Sequence, residues 1–325
     1  MKTSLQHIKK PFNEEIKEYE MVFSEIMTSN IALIDVILKY VIKHKGKGLR
    51  PLIVLMAAKQ VGKINQQTYR VASVIELLHT ASLIHDDVVD EANLRRGFPS
   101  INAAWKNKIA VLMGDYLLSK CLIGATETGN MKIMNMLANV SKSLSKGELL
   151  QIEKSRKMNI TEKDYFSIIH NKTAGLISAA AYLGAITTSE DEEDHSNLKE
   201  YGENLGIAFQ IKDDLLDYYG HWKLLGKDSG NDFKNKKITL PLISAFNNAG
   251  DKETKKIKRL FRKKLSKKEE KFILDFVYKY NGIEYSENKC QEFSDKAKTC
   301  LNKYPDSEVK RSMISLTDYV VMRKK

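Results

Sequence analysis

The sequence predicts an all-α protein that folds as a single domain. Apolar residues recur at helical spacing over almost all of its 325 residues, and 42% of the residues are hydrophobic, which suffices for a sizeable core. Only 5 prolines and 17 glycines interrupt the chain, and no proline stands between Pro99 and Pro241. A protein of many short strands needs turn residues about every 8–12 positions. The sequence lacks them, which excludes an all-β fold.

The helical spacing predicts these helices in chain order: Asn13–Lys43, Pro51–Val61, Thr68–Asn93, Ala110–Thr126, Met131–Ser155, Thr161–Leu183, Ser196–Tyr219, Ile238–Asn247, Ser266–Tyr280, Ile283–Tyr304 and Ser307–Arg323. Thr161 with Asp164, and Ser266 with Glu269, are typical of capped helix starts. Glycines stand where several helices should end: Gly46, Gly97, Gly220 and Gly282. Because the linkers are short and no change of composition divides the chain, we expect residues 1–325 to form one domain.

The charge balance raises the question of an anionic partner. Lysine and arginine number 53 against 41 acidic residues, which gives a net charge of +12. Much of the excess lies between Lys252 and Lys271, where Ile257, Leu260 and Phe261 recur at helical spacing. We therefore interpret these lysines as the solvated face of an amphipathic helix and expect no nucleic-acid partner.

The cysteines and the N-terminus favour a soluble, cytoplasmic protein. Cys121, Cys290 and Cys300 are far apart and show no zinc-ligand spacing, which fits a reducing compartment. No apolar run follows the charged N-terminus, so we expect no signal peptide. The longest apolar run that we identify, around Ile177–Ile186, is about half of the roughly 20 residues that a membrane span requires.

Two Asp-Asp-x-x-Asp patterns, at Asp86–Asp90 and Asp213–Asp217, carry the chemistry of the sequence. The first and third carboxylates of each pattern share one face of a helix about 5–6 Å apart, where their repulsion costs stability. Both patterns fall toward the C-terminal end of an apolar helix, where the helix dipole also disfavours negative charge. Such carboxylates need cations. The six residues are Asp86, Asp87, Asp90, Asp213, Asp214 and Asp217.

Oxygen-only ligands, with no Cys or His inside either Asp pattern, are typical of a site for Mg²⁺, which bridges a few carboxylates to substrate phosphates. Several basic residues stand in loops or among small apolar residues near these patterns: Lys47, Arg50, Arg95, Arg96, Lys172 and Lys227. Taken singly, each of these residues would be interpreted as an exposed cation on the protein surface. Together with the two Asp patterns they predict a site for two diphosphates, one held by metal and one by Lys and Arg.

The sequence resembles the trans-isoprenyl diphosphate synthases, also called the polyprenyl synthetase family, and in particular its long-chain octaprenyl and heptaprenyl types. The matching motifs cover most of the chain: Gly46–Pro51, His79–Gly97, Gly114–Asp115, Gly147–Glu148, Lys172–Thr173, Gly206–Asp217, Lys237–Pro241 and Asp318–Arg323. The resemblance implies an isoprenoid synthase type helical bundle around a deep central cavity. It also implies a homodimer, three Mg²⁺ ions per active site, and isopentenyl diphosphate and an allylic diphosphate as substrates.

The resemblance assigns roles residue by residue. Asp86, Asp90 and Asp213 are expected to bind Mg²⁺ directly. Asp87, Asp214 and Asp217 are expected to support these ligands or to reach the metal through water. The expected allylic diphosphate site comprises Arg95, Lys172, Thr173, Gln210, Lys227 and Lys237. The expected isopentenyl diphosphate site comprises Lys47, Arg50, His79 and Arg96. The catalytic set is the six Asp with Lys172 and Lys227.

Ala81 and Ser82 carry a prediction about product length. They precede Asp86 by about one helical turn, where shorter-chain synthases of the family place a bulky residue as a floor. Small residues there predict a long-chain polyprenyl diphosphate of the kind used for quinone side chains, with peripheral membrane contact when a lipid product is released.

Five alternatives stand beside this prediction: a geranylgeranyl or farnesyl diphosphate synthase, the catalytic subunit of a heterodimeric synthase, a terpene cyclase, a nucleic-acid binder and a purely structural helical protein. A cyclase would replace the second Asp pattern with an Asn/Asp-Ser/Thr-Glu site, which Asp213–Asp217 is not. The last two leave six paired Asp unexplained.

Overall fold

The computed structural model describes residues 4–224, 237–261 and 265–323, and it is helical almost throughout, which confirms the predicted fold class. The helices are α1 Leu5–Lys9, α2 Asn13–Ile26, α3 Ala32–Lys43, α4 Leu49–Val61, α5 Gln66–Val89, α6 Ile101–Thr126, α7 Met131–Lys157, α8 Glu162–Ile169, α9 Gly175–Ile186, α10 Glu192–Leu224, α11 Leu240–Asn248, α12 Asp251–Leu260, α13 Lys267–Lys279, α14 Gly282–Thr299 and α15 Glu308–Met322. A 3₁₀ turn, Lys10–Phe12, joins α1 to α2. A π-helical turn, His170–Ala174, joins α8 to α9.

Helix starts follow the predicted capping chemistry. The Thr161 and Ser266 hydroxyls each accept a hydrogen bond from the backbone N–H three residues further on. The acidic side chain at that position accepts from the backbone N–H of Thr161 or Ser266, which completes two capping boxes. Asn65 and Thr68 form a third box that starts α5, and this one was not predicted.

The prediction of one continuous helix over Asn13–Lys43 is wrong, because the helix is interrupted between α2 and α3. The Thr28 hydroxyl donates to the Glu25 carbonyl at 2.9 Å, and the Ile31 N–H donates to the Ser29 hydroxyl at 3.2 Å. Side chains that bond to nearby backbone compete with the helical ladder, and here they end the helix.

A short antiparallel hairpin follows α5, where the predicted helix ran on to Asn93. Strands β1 (Leu94–Arg95) and β2 (Phe98–Pro99) pair with Arg95 opposite Phe98. Arg96 and Gly97 form the two-residue turn, with φ of 54° and 82°. Positive φ at both positions is the geometry that tight hairpins favour, and glycine adopts it without strain.

The chain divides into two compact units. Unit 1 comprises Met1–Lys142, Leu176–Gly202 and Cys300–Ser315; unit 2 comprises Ser143–Gly175, Glu203–Thr299 and Leu316–Lys325. In unit 1, α5 is buried around most of its circumference and packs against α4 and α6. In unit 2, one apolar cluster gathers side chains from α8, α10, α11, α13 and α14.

The expectation about apolar stretches needs a correction. Among the described residues, α6 is the one helix that is long and apolar enough to cross a membrane, with a mean hydropathy of 1.4 over its 18-residue window. The prediction depended on uninterrupted apolar runs, and the apolar runs of α6 are separated by polar residues such as Asp115 and Lys120. The buried core helices of soluble proteins meet the same criterion of length and composition. In α6, 39% of the window is buried.

Candidate functional site

The first Asp motif ends α5, as predicted, and its three carboxylates differ in exposure. Asp86 is half-buried, Asp87 is 3% exposed, and Asp90 is exposed and caps the helix end. The two outer carboxylates lie four residues apart, where their charges repel. An arrangement that leaves two carboxylates accessible to a cation and buries the third between them suits a metal site.

The buried Asp87 is held by the hairpin. Arg95 donates to it through Nε at 2.7 Å and through Nη2 at 2.6 Å, a two-point ion pair. The tight turn at Arg96 and Gly97 brings β2 back along β1, and the pairing of Arg95 with Phe98 holds β1, which carries Arg95. Arg96 donates to the His44 carbonyl at 3.1 Å.

A pocket in unit 1 collects most of the predicted isopentenyl diphosphate residues. It encloses about 1080 Å³ of empty space, open mouth included, and its lining includes Lys47, His79 and Arg96 of that set. Arg95, which was predicted for the allylic diphosphate site, also lines this pocket. The pocket wall is therefore rich in cations, which fits an anionic ligand.

The Arg50–His79 pair lies at this pocket. Arg50 Nη1 and His79 Nε2 are 2.9 Å apart. A guanidinium can only donate, so the imidazole accepts at Nε2 and is neutral. Burial, and next the charge of Arg50, lower the pKa of His79 well below its usual value, which agrees with the neutral form.

Glu76 lies one turn before the histidine and also lines the pocket. It is 9% exposed, and burial raises the pKa of its carboxyl, while Arg50 and Arg96 oppose that shift. Glu76 was not among the predicted site residues. An acid on a buried helix face was its only signal in the sequence.

The proposed floor residues lie on α5, one turn before Asp86. Ala81 is 2% exposed, whereas Ser82 is partly exposed and its hydroxyl donates to the His79 carbonyl at 2.8 Å. Their effect on product length stays a prediction.

The second Asp motif, in unit 2, repeats the pattern of exposure seen in the first. Asp213 is half-buried, Asp214 is 7% exposed and Asp217 is exposed. α10 continues beyond the predicted end at Tyr219, so this motif lies farther from its helix end than the prediction placed it.

The buried Asp214 carboxylate, like that of Asp87, accepts hydrogen bonds from neighbouring side chains. The Tyr165 hydroxyl donates to it at 2.6 Å and the Gln210 amide at 3.0 Å. Burial raises the pKa of Asp214 to about 6, and the two hydrogen bonds limit that rise. Thr173 donates to the Gln210 carbonyl oxygen at 2.7 Å, so Thr173, Gln210 and Asp214 form one connected chain.

Lys172 comes from the π-helical turn and pairs with Glu148 on α7. Its ammonium also donates to Gln151 Oε1 at 3.3 Å. Lys172, Thr173, Gln210, Asp214 and Lys237 line a second pocket that encloses about 720 Å³ of empty space, open mouth included. π-helical turns inside helices often mark functional sites.

Arg323, directly after α15, contacts the second Asp motif. Its Nη2 lies 2.5 Å from Asp213 Oδ1 and 3.0 Å from the Phe209 carbonyl, and its guanidinium stacks on the Phe209 ring at 4.0 Å. Glu148 and Arg323 were predicted only as motif residues. The partner roles of Tyr165, Glu148, Gln151 and Arg323 were not predicted, because only the fold brings these side chains to their partners.

The structure therefore divides the predicted site residues between the units. Unit 1 holds these: Lys47, Arg50, His79, Ala81, Ser82, Asp86, Asp87, Asp90, Arg95 and Arg96. Unit 2 holds these: Lys172, Thr173, Gln210, Asp213, Asp214, Asp217 and Lys237. Lys227 lies outside the described residues.

The donors fit Mg²⁺ as the sequence predicts. In the described part of the chain, no three His, Cys, Asp or Glu side chains form a protein-only metal cage. Mg²⁺ does not need one, because it is usually bound by one or two carboxylates together with substrate phosphates and water. The half-buried or exposed Asp86, Asp90 and Asp213 supply such oxygens.

Comparison with known proteins covers nearly the whole chain. The sequence model of the family described as polyprenyl synthetase matches residues 31–277. Octaprenyl diphosphate synthase of Escherichia coli is 33% identical over 299 residues, which are 92% of this chain and 93% of that protein.

Two solved structures share the fold at full length. A decaprenyl diphosphate synthase from Rhodobacter capsulatus superposes with a TM-score of 0.93 at 36% identity, covering 98% of this chain and 99% of that one. A polyprenyl synthase from Caulobacter crescentus, complexed with calcium and isoprenyl diphosphate, superposes with a TM-score of 0.91 at 32% identity, covering 100% and 99%.

Proposed function

This chain belongs to the polyprenyl synthetase family and is a prenyltransferase, and from that premise we propose that it makes a long-chain all-trans polyprenyl diphosphate for a quinone side chain. The substrates would be isopentenyl diphosphate and an allylic diphosphate, joined head to tail. The observation that carries the proposal is that the two Asp motifs share one pattern of burial and hydrogen bonding. In each, the middle Asp is buried and hydrogen bonded while the outer two remain accessible.

We propose that the unit 1 pocket takes isopentenyl diphosphate. Lys47 and Arg96 would bind its diphosphate, and neutral His79, which accepts a hydrogen bond from Arg50, lines the wall. In unit 2, Lys172, Thr173 and Lys237 would hold the allylic diphosphate, with Gln210 fixing the Thr173 hydroxyl.

Asp86, Asp90 and Asp213 are the residues that would hold Mg²⁺, which supplies Lewis-acid stabilisation of a diphosphate leaving group when bound. Asp87 and Asp214 would orient the two motifs through their hydrogen bonds to Arg95 and Tyr165. A three-ion site rests on the family resemblance.

The proposed reaction breaks the C–O bond of the allylic diphosphate, and the double bond of isopentenyl diphosphate attacks the allylic carbon. Loss of a proton then restores an alkene that is one five-carbon unit longer. Lys172 and Arg95 would stabilise the charge that develops on the departing diphosphate. We take that diphosphate as the proton acceptor.

Further features are proposed with this function. We propose a cytoplasmic homodimer in which residues 1–325 act as one polyprenyl synthetase domain. The basic outer face of α12 would draw the enzyme to anionic membranes, where a lipid product must go. Co-sedimentation with anionic vesicles at low salt, lost at high salt, would support that contact; no binding at low salt would contradict it.

The central experiment incubates the purified chain with Mg²⁺, labelled isopentenyl diphosphate and farnesyl diphosphate, and sizes the products by chromatography. We expect polyprenyl chains of hexaprenyl to decaprenyl length. Products no longer than geranylgeranyl diphosphate would favour the short-chain alternative. Activity that requires a second, small subunit would favour the heterodimeric alternative, and inactivity under both conditions would contradict the proposal.

A further inference from the structure

Lys9, from the N-terminal helix α1, lines the cationic pocket of unit 1 although it precedes the matched residues 31–277. Its backbone is fixed on both sides, because Ile8 is 1% exposed and Phe12 is 0% exposed. Lys59 on α4 also donates to the Pro11 carbonyl at 3.1 Å. The N-terminal segment is therefore anchored in unit 1, and Lys9 has a defined place there.

The Lys9 ammonium bonds to the loop that precedes α4. Its Nζ donates to the Lys47 carbonyl at 2.7 Å. Gly48 follows with φ of 64° and starts α4 without a side-chain cap. The Lys9 bond therefore helps to orient the Lys47 peptide where the chain turns into the helix.

The charges around Lys9 favour an anionic ligand. The nearby Glu20 carboxylate is engaged by Lys45, with 2.6 Å between Oε1 and Nζ. No carboxylate among residues 4–224, 237–261 and 265–323 forms an ion pair with Lys9. Burial lowers the pKa of Lys9; Glu20 and, more weakly, Glu76 oppose this shift, and Lys45 adds to it. A bound anion would stabilise the charged ammonium in such a place.

We propose that Lys9 is a positioning residue of the isopentenyl diphosphate pocket, which orients the Lys47 peptide and adds a cation that a bound diphosphate neutralises. The inference rests on the proposed function, since that function supplies the diphosphate. It extends the site to a helix outside the matched residues.

The test compares Lys9→Met, Lys9→Gln and Lys9→Arg with the wild type and with Lys10→Met as the matched control, because Lys10 is the neighbouring, exposed lysine. Calorimetry without Mg²⁺ measures the affinity for isopentenyl diphosphate, and kinetics measures KM for each substrate. We expect Lys9→Met to weaken isopentenyl diphosphate binding about tenfold, the range of a lost charge-assisted bond. The KM for farnesyl diphosphate and the melting temperature should change little.

The other variants separate charge from hydrogen bonding. Lys9→Arg should recover most of the affinity, because it retains both, whereas Lys9→Gln should recover only the part that depends on orienting the Lys47 peptide. Unchanged affinity in Lys9→Met, or an equal loss in Lys10→Met, would overturn the inference even if the wild type elongates farnesyl diphosphate. If the wild type is inactive, the proposed function fails while the calorimetric comparison still decides the role of Lys9.

Discussion

The accessible carboxylates of the two Asp motifs carry the first prediction. Replacing Asp86 or Asp213 by Ala removes an oxygen ligand, and we expect turnover to fall roughly a thousandfold or more, since each tenfold step costs only about 1.4 kcal/mol of transition-state stabilisation. Both variants should stay folded, and Asp213→Ala should melt at a lower temperature because it also removes the ion pair with Arg323. Steady-state kinetics and thermal melting measure both effects.

Asp295→Ala is the matched control, because this carboxylate is 62% exposed on α14 and lies in neither motif. It should retain normal turnover. Near-normal activity in the purified Asp86→Ala or Asp213→Ala protein would contradict the metal-ligand assignment.

His79 carries a prediction about pH and stability. Its pKa in the folded protein lies below the usual value of about 6.5. As the pH falls below about 6.5, the unfolded chain binds more protons at this position than the folded chain does. The histidine therefore makes the protein less stable as the pH falls. The raised pKa of Glu76 works in the opposite direction, because its folded form binds the proton more readily.

Comparison of His79→Gln with the wild type isolates the histidine, since Glu76 is present in both. Thermal melting between about pH 7.5 and about pH 5.5 should show a smaller loss of stability in the variant. An equal or larger loss would contradict a buried neutral imidazole.

At the scale of elements, α5 would set the product length. A bulky residue at Ala81, about one turn from Asp86, should block a growing chain, so Ala81→Tyr should give markedly shorter products. Because Ala81 is 2% exposed, the larger side chain also strains the core. Ser82→Tyr, at the partly exposed neighbour, is the second variant. Unchanged product length in both folded variants would refute the floor interpretation.

The contact between α10 and the π-helical turn carries a stability prediction. A Cβ at Gly206 would lie 2.5 Å from the Ala174 Cα, so the two backbones touch there. Gly206→Ala should lower the free energy of unfolding by about 1–3 kcal/mol and reduce activity, because Lys172 and Thr173 sit on the displaced turn.

Gly250→Ala serves as the control for this contact. A Cβ at Gly250 meets nothing within 4 Å and its φ is negative, so urea unfolding should show little change. Equal stability of the Gly206 and Gly250 variants would contradict the close approach of α10.

At the scale of the whole molecule, an apolar face of α6 supports the proposed homodimer. Val111, Leu112, Leu122 and Ile123 are 41%, 55%, 39% and 57% exposed. Exposed apolar patches of this kind mark interaction sites, and a second copy of the same chain is the partner that the family resemblance implies. Sedimentation should give the mass of a dimer.

The double variant Leu112→Lys with Ile123→Lys should sediment as a monomer, because each lysine would have to be buried against the partner. Met21→Lys, at an apolar side chain that is 53% exposed on α2, should remain dimeric. A wild-type monomer, or a double variant that stays dimeric, would contradict this interface.

The sequence by itself determined the fold class, the helices with capped starts and both Asp motifs, because these depend on spacing along the chain. Helix periodicity and the Thr161 and Ser266 caps are local properties that neighbouring residues specify. Side-chain bonding at Thr28 and Ser29, which breaks the predicted first helix, is also local but competes closely with the helical ladder.

Only the tertiary structure decided which residues support the site. Tyr165 reaches Asp214 across 49 positions, and Arg323 reaches Asp213 across 110. Lys9 meets the Lys47 carbonyl across 38 positions. No periodicity specifies contacts at such separations. They arise when buried apolar faces pack elements together, so the sequence determined the chemistry that the site can use, and packing determined which side chains hold it in place.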